Sequence, residues 1–148
     1  MAWQTITTTD VKTRLAGAEV TALQESALAA GQTDPFPEII DGAVDEVRGY
    51  IAASGRILEA GATIPSRLRD TTLALIRHRC ATRLPGKTFL TDDRVREYQD
   101  AIRLLERVAD GKFAVEEAVT ADTEVSGAPS PSFADTTRSF TNTDEDGL

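Results

Sequence analysis

Any covalent or acid–base chemistry in this chain would rest on very few residues. The 148-residue sequence holds one histidine, His78, and one cysteine, Cys80. A cysteine nucleophile needs a base within hydrogen-bond reach, but positions two apart on a helix point about 200° away from each other. His78 lies between Arg77 and Arg79, and neighbouring positive charge disfavours its protonated form. The pair is too small a set for zinc, and a single cysteine excludes an internal disulfide. The adjacent carboxylates Asp92 and Asp93, and Glu116 and Glu117, read as helix-capping and solvated charge. The run Asp144-Glu145-Asp146 lacks the glycine and the spacing of a calcium loop. The glycine patterns of phosphate-binding loops, dinucleotide sites and nucleophile elbows are absent from the sequence. No catalytic, cofactor-binding or metal-binding residue is therefore assigned, and the expectation is a non-enzymatic protein with no cofactor.

The arginines are the remaining chemically active group. Arg67, Arg69, Arg77, Arg79 and Arg83 fall within one stretch with His78. They spread around the helical cylinder, and Asp70 dilutes them. A helix-turn-helix would need a polar recognition helix after a short turn, yet the helix that follows Leu84–Leu90 has an apolar best face. The net charge of −8 also argues against free nucleic acid as a general ligand. The charge is segregated: residues 1–63 carry 4 basic and 9 acidic side chains, residues 64–112 carry 11 and 7, and residues 113–148 carry 1 and 8. Such segments are expected to neutralise one another, within the fold or between copies.

Periodicity gives the elements that position these groups. Residues 1–8 read as an extended arm containing Trp3 and Ile6. Thr9 or Asp10 can cap a short helix over Val11 and Leu15, interrupted at Gly17. A second stretch, 18–30, places Val20, Leu23, Ala27 and Leu28 on one face. Thr33-Asp34-Pro35-Phe36-Pro37 starts a helix, since proline is tolerated in the first turn. Ile40, Ala43, Val44, Val47, Tyr50 and Ile51 then follow helical spacing, with Asp41, Asp45 and Arg48 opposite and Gly55 as the stop. Gly42 and Gly49 lie inside it, either permitting a close helix contact or simply tolerated. After a connector over 56–63, Pro65 and Ser66 open a helix to about Leu84, and Arg79 and Arg83 project into its apolar half. A charge placed there must pair, snorkel or face another chain. Thr91-Asp92-Asp93 caps the last helix. Its core stripe is Val95, Tyr98, Ile102, Leu105 and Ala109, and its exposed side carries Arg96, Asp100, Arg103 and Arg107.

These features describe an all-α bundle of four to five helices over 9–112, with an extended N-terminal arm (1–8) and a long C-terminal tail (113–148). The aliphatic core is large enough to need no staple. From Ser126 the composition is Ser, Thr, Pro, Gly and Asp rich, with Phe133, Phe140 and Leu148 as spaced apolar anchors. Alone, such a segment cannot offset its ordering entropy, so it is expected to order on a partner. No apolar run reaches the roughly 18 residues of a membrane span, and Met1-Ala2-Trp3-Gln4 does not start a signal peptide. A soluble protein with no membrane partner is expected.

The order of motifs resembles a known family. Asp10-Val11-Lys12-Thr13-Arg14-Leu15 precedes Val47-Arg48-Gly49-Tyr50-Ile51, then Ile64-Pro65-Ser66-Arg67-Leu68 opens a helix with Arg77-His78-Arg79. Arg94-Val95-Arg96-Glu97-Tyr98-Gln99-Asp100-Ala101 leads to Leu104-Leu105-Glu106-Arg107-Val108-Ala109-Asp110-Gly111-Lys112, and the chain ends in Arg138-Ser139-Phe140-Thr141 and Gly147-Leu148. This resembles the head–tail adaptor (head-completion) proteins of tailed bacteriophages, of the Mu-like type. The tail over 114–133 is longer than the family's, and Ile51-Ala52-Ala53-Ser54-Gly55 stands where the family is aromatic-rich.

The resemblance implies a structural virion protein, present in the host cytoplasm during assembly. Copies would form a homo-oligomeric ring, usually of twelve, under the portal protein. The ring would extend the DNA channel without sequence-specific binding and carry the stopper or tail-completion protein. The tail residues Phe133, Arg138, Phe140 and Leu148 would bind the portal, and Arg79, Arg83, Arg96, Arg103 and Arg107 are candidates for the subunit interface. The alternative is a small acidic helical regulatory module, antitoxin-like or a scaffold partner.

Overall fold

The computed structural model describes residues 2–29, 31 and 33–119. Five α-helices and a two-stranded ribbon make up the regular structure among them. The expected all-α bundle is the observed architecture.

Trp3–Gln4 forms strand β1 and Ile64–Pro65 forms β2; they pair antiparallel, with Trp3 opposite Pro65. The first helix, α1 (Thr8–Arg14), starts earlier than expected. Thr7 is the N-cap, and Asp10 sits at the third helical position of a capping box. The Asp10 amide donates to Thr7 Oγ1 at 3.3 Å, and the Thr7 amide donates to Asp10 Oδ2 at 2.9 Å. Two orphan donors are satisfied reciprocally. The cap therefore lies at Thr7, and not at Thr9 or Asp10. After buried Leu15, Gly17 opens α2 (Gly17–Ala29); it begins the second helix where an interruption of the first was expected.

Asp34 caps α3 (Pro35–Ala53) by accepting from the Phe36 amide at 3.1 Å, with proline at the first helical position. Phe36, Ile39, Ile40, Ala43, Val44, Val47 and Ile51 are buried on one side. Gly55, at φ +78, reverses the chain after Ser54. A single 3-10 turn (Ser66–Leu68) precedes α4 (Arg69–Arg83), the central helix, which packs on α1, α2, α3 and α5. Its buried Thr72 hydroxyl donates to the Leu68 carbonyl at 2.8 Å, so burial leaves no unpaired donor. Thr91 caps α5 (Asp92–Ala109), which buries Ala101, Leu105 and Val108 and stops at Gly111, at φ +73.

The core is aliphatic around Phe36, Ile51, Leu68, Leu73, Leu75, Ile76 and Leu105. Each fully buried side chain of this size stabilises the fold by about 1.5–3 kcal/mol. Trp3 and Ile6 belong to that core. Arg48, expected opposite the core with Asp41 and Asp45, instead braces the connector. Its guanidinium donates to the carbonyls of Thr63 (2.7 Å) and Glu59 (2.8 Å) and lies 5.9 Å over the Trp3 ring.

The packed body continues past α5. Val115 is buried, and its carbonyl accepts from Arg56 at 3.0 Å. The Ala114 carbonyl accepts from Arg67 at 3.2 Å, and Ser66 Oγ donates to Glu116 Oε1 at 2.7 Å. Among the described residues, no helix is long and apolar enough to cross a membrane.

Candidate interaction surface

The segregated charges meet across the helix interfaces. Arg69 on α4 reaches Asp10 on α1 at 2.6 Å, and Arg14 on α1 reaches Asp70 on α4 at 2.5 Å. Arg79 pairs with Glu46 on α3, and Arg83 with Glu38 at 3.4 Å. Arg77 pairs with Glu97 on α5 at 2.9 Å. Three of these five pairs join the basic middle of the sequence to carboxylates of residues 1–63 within one chain. Long cationic side chains leave the apolar half of α4 and find carboxylates at its margins, so their stems still cover the core.

This arrangement divides the five interface candidates. Arg79 and Arg83 serve intrachain pairs with α3. Arg79 also explains one of the two helical glycines: a Cβ at Gly42 would lie 2.8 Å from Arg79 Nη1, whereas one at Gly49 would meet nothing within 4 Å. Gly42 permits the close approach, and Gly49 lines open space. Arg96, Arg103 and Arg107 all face outward. Their seven- and four-residue steps place them within about 40° of one another on α5, away from its buried face. Among the described residues, Arg103 reaches only Asp100, at 3.3 Å, with both side chains more than 70% exposed. Arg96 and Arg107 have no carboxylate partner among the described residues.

Beside this stripe, a shallow groove runs between α3 and α5. Tyr50, Tyr98 and Ile102 form its floor, and Glu46, Arg103 and Glu106 form its rim. Burial, followed by the carboxylates of Glu46 and Glu106, pushes the Tyr50 hydroxyl above the usual phenol range. Tyr98 stacks on His78 with ring centroids 3.9 Å apart. His78 is thereby half-buried, and burial lowers its pKa from the ordinary value. The reading from neighbouring arginines had the right direction; the cause is desolvation.

Cys80 is a core residue, as its position on the apolar face implied. Burial and the nearby Glu19 carboxylate push its thiol up to about 12, too high for a nucleophile. No group of three potential metal ligands occurs among the described residues.

Sequence reasoning missed one electrostatic feature. Glu19 on α2 is fully buried and accepts from Arg94 on α5 at 2.7 Å. Its position four before Leu23, on the same helical face, was the available signal. At the other end of the body, burial alone would raise the Glu116 pKa. The hydrogen bond from Ser66, with contacts from Arg67, outweighs this and holds the carboxyl below its ordinary value.

The portal-binding candidates Phe133, Arg138, Phe140 and Leu148 lie outside the described residues, as does the acidic run Asp144-Glu145-Asp146. No curated protein and no solved structure matches the chain. The family model described as Bacteriophage Mu, Gp36 matches residues 6–131, which takes in every helix of the body. With most of its length matched, this helical chain belongs to the bacteriophage Mu Gp36 family.

Proposed function

We propose that this chain is a structural virion protein, the head–tail adaptor of its phage. Copies form a ring, expected at twelve, beneath the portal protein, extend the DNA channel and provide the platform for the stopper or tail-completion protein. The observation that carries this reading is the family match over residues 6–131, a range that includes all five helices. Physical features support it. A channel for DNA should not grip phosphate, and the chain carries a net charge of −8. The body presents a shallow aromatic groove and an arginine stripe, features suited to protein contacts. Residues 126–148 dock on the portal, with Phe133, Phe140 and Leu148 as anchors and Arg138 pairing a carboxylate there.

Mass analysis of the purified chain, alone and mixed with its phage's portal, tests the reading. The expected result is a stoichiometric ring on the portal. Deleting residues 126–148 is expected to leave the helical circular dichroism unchanged and to abolish portal binding. A full-length chain that ignores the portal sinks the adaptor reading and favours the regulatory binding module.

A further inference from the structure

Among the described residues, little answers the positive charge on the exposed face of α5. Arg96, Arg103 and Arg107 lie on one outward stripe, with Asp100 among them and Asp92 and Asp110 at its two ends. Arginine forks are suited to bidentate contact with carboxylates, and the nearest regular set of outward carboxylates lies on α3. Glu38, Asp41 and Asp45 are all exposed, on the side of α3 away from its buried residues. Of these, Glu38 is shared with Arg83, while Asp41 and Asp45 have no cationic partner among the described residues. The two stripes have matching spacing. Arg96 and Arg103 are seven residues apart, as are Glu38 and Asp45, and seven residues of helix rise about 10 Å. Beyond Asp45, the same side of α3 carries Gly49 and Ala52, and a Cβ at Gly49 would meet only open space. A second helix can therefore lie close along α3 without meeting a bulky side chain.

We infer that the arginine stripe of α5 on one copy docks along the outer acidic face of α3 on the next copy. The two faces are different patches of the same molecule, so the contact is heterologous. Repeated, it generates a ring or an open chain of copies. The inference deepens the adaptor reading by naming the faces through which its copies meet. It is an electrostatic contact, so it weakens as salt shortens the Debye length.

Thiol trapping on the full-length chain tests it. Asp41→Cys and Asp100→Cys place one thiol on each face, both at exposed positions and opposite each other when Arg96 and Arg103 face Glu38 and Asp45, while Cys80 is buried. With a short bis-maleimide, the double variant is expected to give a ladder of dimers, trimers and higher multimers. Each single variant is expected to stay uncross-linked, because a heterologous contact then brings only one thiol to each seam. Adding Glu38→Arg with Asp45→Arg should abolish the ladder; adding Arg96→Glu with Arg103→Glu to that same chain should restore it.

A ladder that is absent both alone and with portal, or that ignores charge reversal, overturns the inference. The two readings fail separately. A portal-bound ring without the ladder removes this interface and leaves the adaptor. A charge-dependent ladder on a chain that ignores the portal keeps the interface and removes the adaptor.

Discussion

Replacing Arg94 with methionine should be among the most damaging changes at a partly exposed position. Arg94 donates to Glu19 at 2.7 Å, and the Glu19 side chain is fully buried whereas that of Arg94 is 15% exposed. Only one carboxylate oxygen has a partner; Glu19 Oε2 has none among the described residues. Removing the guanidinium leaves a charged group in the interior with nothing to offset its desolvation. Breaking a buried pair from one side costs about 3–5 kcal/mol. With an unfolding entropy of about 2.1 cal/mol/K per residue over the roughly 115 described residues, a loss near 4 kcal/mol lowers the Tm by about 17 °C.

The double variant Glu19→Met with Arg94→Met separates this mechanism from simple loss of packing. Apolar residues of similar volume in place of both partners are often neutral or stabilising by about 1–4 kcal/mol. Most of the stability should therefore return. Urea unfolding followed by circular dichroism gives each midpoint and slope, and the four corners of the cycle give the coupling energy. An Arg94→Met variant that loses less than about 1 kcal/mol would place Glu19 in an environment already served by water, and the reasoning would fail. A double variant no better than the single would do the same.

Further outcomes follow from the glycines, the histidine and the caps. Gly49→Ala should stabilise by up to about 1 kcal/mol, since it removes a helix-interior glycine and meets nothing within 4 Å. Gly42→Ala should gain distinctly less, because its Cβ displaces Arg79 from Glu46; thermal melts of the two variants compare them. His78 has a lowered pKa in the folded chain, caused by burial. Its contribution is therefore complete above the unfolded value of about 6.5 and is lost as pH falls below it. Urea midpoints should drop as pH falls through about 6.5, and His78→Phe should flatten that slope while keeping the stack on Tyr98. Thr7→Ala removes the capping box and should cost about 1 kcal/mol in the same assay. Cys80 should resist maleimide in the native protein and react once urea unfolds it, which mass spectrometry reads directly.

The fold was readable where local signals agree. Thr91 with two following carboxylates and Pro35 after Asp34 marked the starts of α5 and α3, and Gly55 and Gly111 marked their ends. The short elements were less legible, because their boundaries depend on distant partners. Asp10 resembled a cap in sequence, but it serves the cap at Thr7 and also accepts from Arg69 on a helix fifty-nine positions away. Arg48 falls on the polar side of its own helix, and only the folded connector supplies the carbonyls of Glu59 and Thr63 that accept from it. The ribbon of Trp3–Gln4 with Ile64–Pro65 is too short to leave a period-two pattern.

The candidate surface shows the same division. Composition revealed that the charges are segregated, and spacing revealed that Arg79 and Arg83 enter an apolar half. Neither could say whether the matching carboxylates belong to this chain or to a neighbour. Glu46 and Glu38 answer that for Arg79 and Arg83. Once those pairs form, α4 has no need of an outside partner at these positions, and the arginines of the stripe are left to α5. Helical spacing groups Arg96, Arg103 and Arg107 because positions seven and four apart share a face. Exposed ion pairs contribute only about 0–1 kcal/mol each to a single chain, so a row of arginines gains little for this fold. The same charges carry more weight in choosing which face of another copy can approach, since like charges brought together cost several kcal/mol.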